Sequence, residues 1–362
     1  FRANWGNNHH RPGTETEDGV VVHRFKVEPR NKKQFDEVNQ KIINEIGITP
    51  REQLTFADEF IKSPDLLNAL YRERDNYLFF FIPYLFPMSF DGVRMVGRNS
   101  VVIPCLHDEG YARLDIVQQM MENAGGLAFL TFSEQELANR LYDLPADQVQ
   151  VVVGAGGQVI ETGELDRFAQ KYGIDTPYIL YAGRKGAGKN LPQFIYYWNL
   201  YQRLGGNAHK LKLVLIGPGN NTSHVDDDAT VFDLGFVPAE DKRDAFAGAV
   251  ALCNPSLKES FSLVLMESWQ SERPVLVSAF SPVLVEHVKG SNGGLYYSNE
   301  EEFIRMVDWL IDHPEEALQM GQNGKRYVAK QFSREAITAR YVALIEQMAA
   351  RNQFSIEKNG KW

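Results

Sequence analysis

From residue 77 onward the chain repeats one pattern: a short, almost uninterrupted apolar run, a turn, then an amphipathic stretch with helical spacing. The first pass reads NYLFFFIP, SVVIPCL, a helix over 111–124, LAFLTFS, a helix over 134–142, and QVQVVVGAGG. Strands that are apolar on both faces and separated by helices are what a parallel sheet covered on both sides requires. A glycine-rich stretch over 154–163 interrupts the pattern. It then restarts, with strands expected at 177–183, 212–217, 230–236, 249–255, 274–279 and 293–297. Six such strands with crossovers predict a doubly wound, Rossmann-like domain. The expected architecture is α/β, with two Rossmann-like domains over 1–160 and 161–333. A closing segment over 334–362 is expected to cross back to the first domain. Its helix over 334–348 sets Ile337, Tyr341, Leu344, Ile345 and Met348 on one apolar face. Ligands of doubly wound sheets bind beyond the carboxyl ends of the strands, so a site is expected in a cleft where the two domains face each other.

Before residue 77 the pattern is thinner, with a strand over 20–27 and helices over 35–46 and 64–71. The chain opens FRANWGNNHHRPG, with neither an initiator methionine nor a basic-then-apolar leader. The expectation is a fragment whose first domain is incomplete at its amino end. Net charge of −9, from 38 basic and 47 acidic residues, argues against a surface that wraps nucleic acid or coats an anionic membrane. The longest apolar run, residues 77–86, contains Pro83 and falls far short of the ~20 residues that cross a bilayer. Cys105 and Cys253 lie far apart in apolar runs, which suits reduced thiols in a cytoplasmic protein better than a disulfide framework.

The most informative segment is NPSLKESFSLVLMESW, residues 254–269, directly after an expected strand. Ser260, Phe261, Ser262 and Leu263 fall at an expected helix start, where backbone N–H groups and the positive end of the helix dipole favour an anion such as a diphosphate. Glu259 and Glu267 stand eight positions apart; counted as helix, that is roughly 12 Å at ~1.5 Å per residue. Carboxylates at that separation accept hydrogen bonds from hydroxyls at both ends of an extended nucleotide sugar without a metal. The bland reading of the spacing alone is an amphipathic helix with two exposed glutamates.

A second segment, YAGRKGAGKN (181–190), places Arg184 and Lys189 on a glycine-rich turn after a strand, where two cations neutralise a diphosphate and its developing charge. It also spells G-x4-G-K from Gly183 to Lys189, but Asn190 stands where a P-loop carries Ser or Thr for magnesium. A third, VVIPCLHDEG (101–110), runs from a buried strand into His107, Asp108 and Glu109. No third ligand at suitable spacing supports a metal site there. The GFVP turn over 235–238 ends a strand with Phe236 and Val237. Asp226, Asp227 and Asp228 read as a solvated turn rather than a metal motif.

The residues 254–269, with the Ser-Phe-Ser turn and the following PVLVSA strand, resemble the E-x7-E signature of the GT-B glycosyltransferases, specifically the large retaining family 4. The GRKGAGKN turn is similar to that family's Gly-Arg…Lys turn, and PCLHDE resembles bacterial envelope-polysaccharide transferases. The resemblance implies a retaining, metal-independent transferase with no cofactor beyond a nucleotide-sugar co-substrate. The donor is expected to be a UDP-sugar, with UDP-glucose the first choice. The acceptor is expected to be a saccharide or lipid-linked saccharide in polysaccharide biosynthesis. It implies that Arg184, Lys189 and the amides of Ser260 to Leu263 hold the diphosphate, that Glu267 takes the ribose, that Phe236 and Val237 offer backbone groups to the base, and that His107 and Glu259 hold the transferred sugar as catalytic residues. A cytoplasmic enzyme peripherally attached to the inner leaflet is compatible with a lipid-linked acceptor. The alternatives are a sugar-nucleotide- or carbohydrate-binding protein without turnover and, third, a P-loop NTPase.

Overall fold

The computed structural model describes residues 5–156, 161–204, 210–220 and 223–352. The expected boundary at 160, part of the glycine-rich stretch around it and the last ten residues lie outside them. The chain forms two compact units, residues 1–153 with 340–362, and residues 154–339.

The first unit opens with an antiparallel hairpin, β1 (Gly13–Glu17) and β2 (Val20–Arg24), in register from Gly13↔Arg24 to Glu17↔Val20. The expected strand over 20–27 is thus the second arm of a hairpin, whose tight turn is made by Asp18 and Gly19 at positive φ. Helices α1 (Lys32–Ile43), α2 (Pro50–Phe60) and α3 (Pro64–Glu73) follow. Their starts are written locally: Thr49 and Glu52 form a capping box on α2, and Pro50 and Pro64 occupy first-turn positions where no N–H is needed. Then come β3 (Phe79–Phe81), α4 (Pro87–Val96), β4 (Ser100–Val102), α5 (Asp115–Asn123), β5 (Gly126–Phe129), α6 (Phe132–Leu141) and β6 (Val149–Val152). The four strands pair in parallel in the order β3-β4-β5-β6. The helix expected over 111–124 starts later, because residues 110–113 form a single 3-10 turn ahead of α5. Aromatic packing of Phe35, Phe56, Phe60 and Phe86 fills the core under α1, α2 and α4.

The second unit runs α7 (Leu165–Tyr172), β7 (Tyr178–Ala182), α8 (Leu191–Arg203), β8 (Lys212–Ile216), β9 (Val231–Gly235), α9 (Ala239–Gly248), β10 (Ala251–Asn254), α10 (Leu263–Gln270), β11 (Val275–Ser278), α11 (Pro282–Ser291), β12 (Gly294–Tyr297), α12 (Glu300–Asp312) and α13 (Pro314–Gln331). Its six parallel strands lie in the order β12-β11-β10-β7-β8-β9. From β7 the chain builds outward one way through β8 and β9, then returns to place β10 on the other side of β7. The loops leaving β7 and β10 therefore diverge at a topological switch point, where doubly wound sheets open a crevice. Helix α14 (Arg334–Asn352) carries the chain back into the first unit, where Leu344 and Met348 are fully buried. Among the described residues no helix is long and apolar enough to cross a membrane.

Two contacts fix the helices around the second sheet. A Cβ on Gly321 of α13 would lie 2.0 Å from the Glu272 carbonyl oxygen just past α10, so only glycine permits this crossing. Asp241 and Asp244 on α9, both buried, accept hydrogen bonds from Lys171 and Arg167 on α7. Arg167 holds the Asp244 carboxyl below its ordinary value of 3.8. Helix propensity alone makes Gly321→Ala stabilising by ~1 kcal/mol. The backbone clash is expected to reverse that sign, giving a net loss of ~1–3 kcal/mol in urea denaturation. A carboxyl whose pKa is lowered by folding contributes stability that is complete above the unfolded value and lost as pH falls through the folded one. Asp244→Asn is accordingly expected to lower the melting temperature at pH 7 and to flatten the decline in stability below about pH 4 seen in denaturation curves of the parent.

Candidate active site

At the carboxyl ends of β7, β8 and β9 the chain turns on Gly183, Gly217 and Gly235. Gly217 (φ +124) approaches so closely that a Cβ there would lie 2.1 Å from the Gly183 carbonyl oxygen. Gly217 N–H donates to Gly235 O at 2.7 Å, and Gly183 N–H to Ile216 O at 3.0 Å. The strand ends thus form a floor of backbone with few side chains above it.

The turn after β7 carries the cations. Arg184 is exposed, and its side chain has no ion-pair partner among the described residues. Lys189 meets Glu259 across the switch point, Nζ to Oε1 at 2.7 Å, with the two side chains 28% and 11% exposed. Asn190 follows in the left-handed conformation (φ +57) and starts α8, and its Nδ2 donates to Pro255 O at 3.1 Å. The residue that departs from the P-loop pattern is therefore the one that ties this turn to the loop after β10.

That loop is braced from within. Asn254 is buried; its Oδ1 accepts the Ser256 N–H and its Nδ2 donates to Ser262 Oγ, both at 3.0 Å. Phe261 turns its ring inward, edge-on to His287 at 5.0 Å and to Phe332 at 4.9 Å. Burial pushes the His287 pKa down to about 4, so it packs as a neutral ring. Ser262 takes φ +75, which delays the helix: α10 begins at Leu263. Glu259 and Ser260 are thus in loop, and the estimate of eight helical positions between the two glutamates does not apply. Only the interval from Leu263 to Glu267 is helical. The first N–H groups of α10 have no acceptor inside the helix. Glu267 Oε1 accepts from Lys242 on α9 at 2.6 Å, while its Oε2 is buried without a hydrogen-bond partner among the described residues. Phe236 is 81% exposed beyond β9, whereas Val237 is packed inward.

His107 lies in the first unit, in the turn after β4, with Nδ1 3.7 Å from Glu109 Oε1. Asp108 is committed to Arg113 and Arg140, which hold its carboxyl below the ordinary range despite partial burial. Tyr84 OH donates to Glu109 at 2.7 Å. Asp226 is held by Arg203, and Asp227 caps its own turn, as a solvated loop requires. No group of three or more His, Cys, Asp or Glu side chains among the described residues is arranged to hold a metal.

Sequence reasoning missed three partners. Lys185, adjacent to Arg184, is inaccessible and paired with Asp233 on β9. Lys242 pairs with Glu267, and His287 backs Phe261. Each contact joins residues 25–48 positions apart with no local pattern.

The fold is that of the GT-B glycosyltransferases. Over 95% of this chain and 87% of the other, it is similar to the sucrose-phosphate synthase of Thermosynechococcus elongatus (TM-score 0.70, 17% identity). It is similar to Anabaena HepE in complex with UDP-glucose over 83% and 84% of the two chains (TM-score 0.63, 14% identity). Residues 164–327, most of the second unit, match the family Glycosyl transferases group 1. A relative in sequence is the MMP alpha-(1->4)-mannosyltransferase of Mycolicibacterium hassiacum, 31% identical over 109 residues. That match covers 29% of this chain and 26% of the relative's length. The chain spans between 26% and 45% of the length of the curated relatives it matches.

Asn190 offers a direct test of how the two loops are joined. Asn190→Ala loses the bond to Pro255 and forces a Cβ residue without polar compensation into the left-handed region, at ~1–2 kcal/mol. Asn190→Gly loses the same bond without that strain. In paired urea titrations the alanine variant is expected to be the less stable by ~1 kcal/mol.

Proposed function

We propose that the chain is a retaining, metal-independent glycosyltransferase that transfers a sugar from a nucleoside diphosphate sugar to a saccharide or lipid-linked saccharide acceptor in polysaccharide biosynthesis. The donor is a UDP-sugar, UDP-glucose being the first to assay. The observation that carries this reading is the convergence of Lys189, Glu259 and the loop into α10 at the switch point of the second sheet. Lys189, Arg184 and the N–H groups from Ser260 to Leu263 hold the diphosphate, aided by the dipole of α10. The glycine floor lets a ligand approach the strand ends closely. Glu267, anchored by Lys242 and with a lone pair to spare, accepts from the ribose hydroxyls. Phe236 and Val237 offer backbone groups to the base. Glu259 and His107 hold the transferred sugar. Retention and the choice of uridine rest on the family resemblance, and the UDP-glucose complex of HepE supports the latter.

Charge on the leaving diphosphate grows in the transition state, so its cation acts mainly on kcat. Lys189→Ala is expected to lower kcat for UDP-glucose turnover by ~10²-fold or more, and Lys189→Arg by much less. Glu267→Gln is expected to raise the dissociation constant for UDP by roughly 10-fold, as a charged hydrogen bond is worth ~1.5–3 kcal/mol. Turnover assays and calorimetric titration with UDP read the two effects, and near-normal turnover of the alanine variant refutes the assignment. Tight UDP-glucose binding with no UDP release across an acceptor panel points instead to a binding protein without turnover.

A further inference from the structure

Glu134 stands in the first turn of α6 with its side chain inside the first unit, 1% exposed. Its Oε1 accepts the Leu106 N–H at 2.6 Å, its Oε2 accepts the Leu130 N–H, and its own N–H donates to Thr131 Oγ1 at 3.1 Å. Leu106 follows β4 and Leu130 follows β5. A single carboxylate therefore joins the turns at the carboxyl ends of two neighbouring strands. The turn it reaches is a demanding one. Cys105, immediately before Leu106, has φ +53, which non-glycine residues seldom adopt and which persists only where the surroundings impose it. His107 follows Leu106 directly.

Glu134 has no cation beside it among the described residues, and burial pushes its carboxyl up to about 7 in spite of the backbone donors. An acid in such a place is costly unless hydrogen bonds compensate, whereas an apolar side chain would fill the space at no such cost. What the carboxylate supplies, and an apolar group cannot, is acceptors for both turns.

We propose that Glu134 is a positioning residue that fixes the turn at 105–107 and thereby the placement of the His107 imidazole. This rests on, and goes beyond, the reading of His107 as a contact of the transferred sugar. Glu134→Gln replaces one acceptor oxygen by an NH2 that faces a backbone N–H. It is expected to lower kcat for UDP-glucose turnover ~10-fold or more, with KM for the donor held within about twofold. In the His107→Ala background the same change is expected to alter kcat by less than about twofold, and losses that multiply instead overturn the proposal. Thr131→Ala removes the helix cap but leaves the carboxylate; it is expected to lower the melting temperature without the loss in kcat.

If His107→Ala leaves kcat unchanged, the transferase role of His107 fails on its own account, and NMR decides the positioning. The His107 ring resonances, assigned by their loss in His107→Ala, are expected to shift in Glu134→Gln and to stay in place in Thr131→Ala. Unshifted resonances in Glu134→Gln overturn it. If Glu134→Gln does not fold, the parent protein supplies the readout. The Leu106 and Leu130 amide protons are expected to titrate together as the carboxyl does, with Cys105 and Tyr341 the other titratable groups that sense Glu134. Amide protons that move independently overturn the proposal.

Discussion

β7 and β10 lie side by side, with Ile179 opposite Ala251 and Leu180 opposite Leu252, and the candidate site depends on that pairing. Because the chain winds outward from β7 in one direction and resumes at β10 in the other, the loops that follow these strands are neighbours with no helix between them. Lys189 and Glu259 come from opposite sides of that gap, each largely withdrawn from water. Either charge alone would bear a desolvation penalty, so the pair constrains both loops at once. The Asn190 bond to Pro255 reinforces the same join with neutral groups. Under the proposed reading, a diphosphate would meet a cation already held in place, which would reduce the ordering that binding must impose.

The second unit was largely legible in the sequence because most of its strands are nearly pure apolar runs bounded by glycine, proline or a polar turn. The loop into α10 was less so. Periodicity alone carries the helix back through Ser260, and what stops it is the left-handed backbone at Ser262, a choice made by Asn254 and by the inward anchoring of Phe261. Lys185 illustrates the other limit. In sequence it is a third cation beside Arg184 and Lys189, and only its burial against Asp233 removes it from the set that can meet a ligand. Glu134 lies between these cases. Thr131 three residues before it spells a capping box, and the Glu134 carboxylate does accept the Thr131 backbone N–H, yet it also spans two strand ends, which no local pattern encodes.

The site helix owes its orientation to packing behind it. Trp269, fully buried, donates from Nε1 to Gly293 O at 2.8 Å and stands edge-on to Tyr327 on α13. His287 bonds Tyr327 through Nδ1 at 3.1 Å and completes a ring of aromatic side chains with Phe261 and Phe332. Edge-to-face contacts of this kind are directional as well as apolar. They set the tilt of α10, and with it the direction in which its amino end presents N–H groups.

Helix α14 gives the molecule an unequal order of completion. The second unit is one continuous stretch, finished once Ala339 has been made. The first is closed only by residues that come after it, among them Met348, whose thioether lies over Gly125 and Gly126, and Arg351, which donates to Gly125 O at 2.5 Å. During vectorial synthesis the earlier-made portion must wait, with the space for Met348 unfilled beside its sheet, while the later-made portion closes first. That inverts the usual amino-to-carboxyl sequence of domain folding on the ribosome.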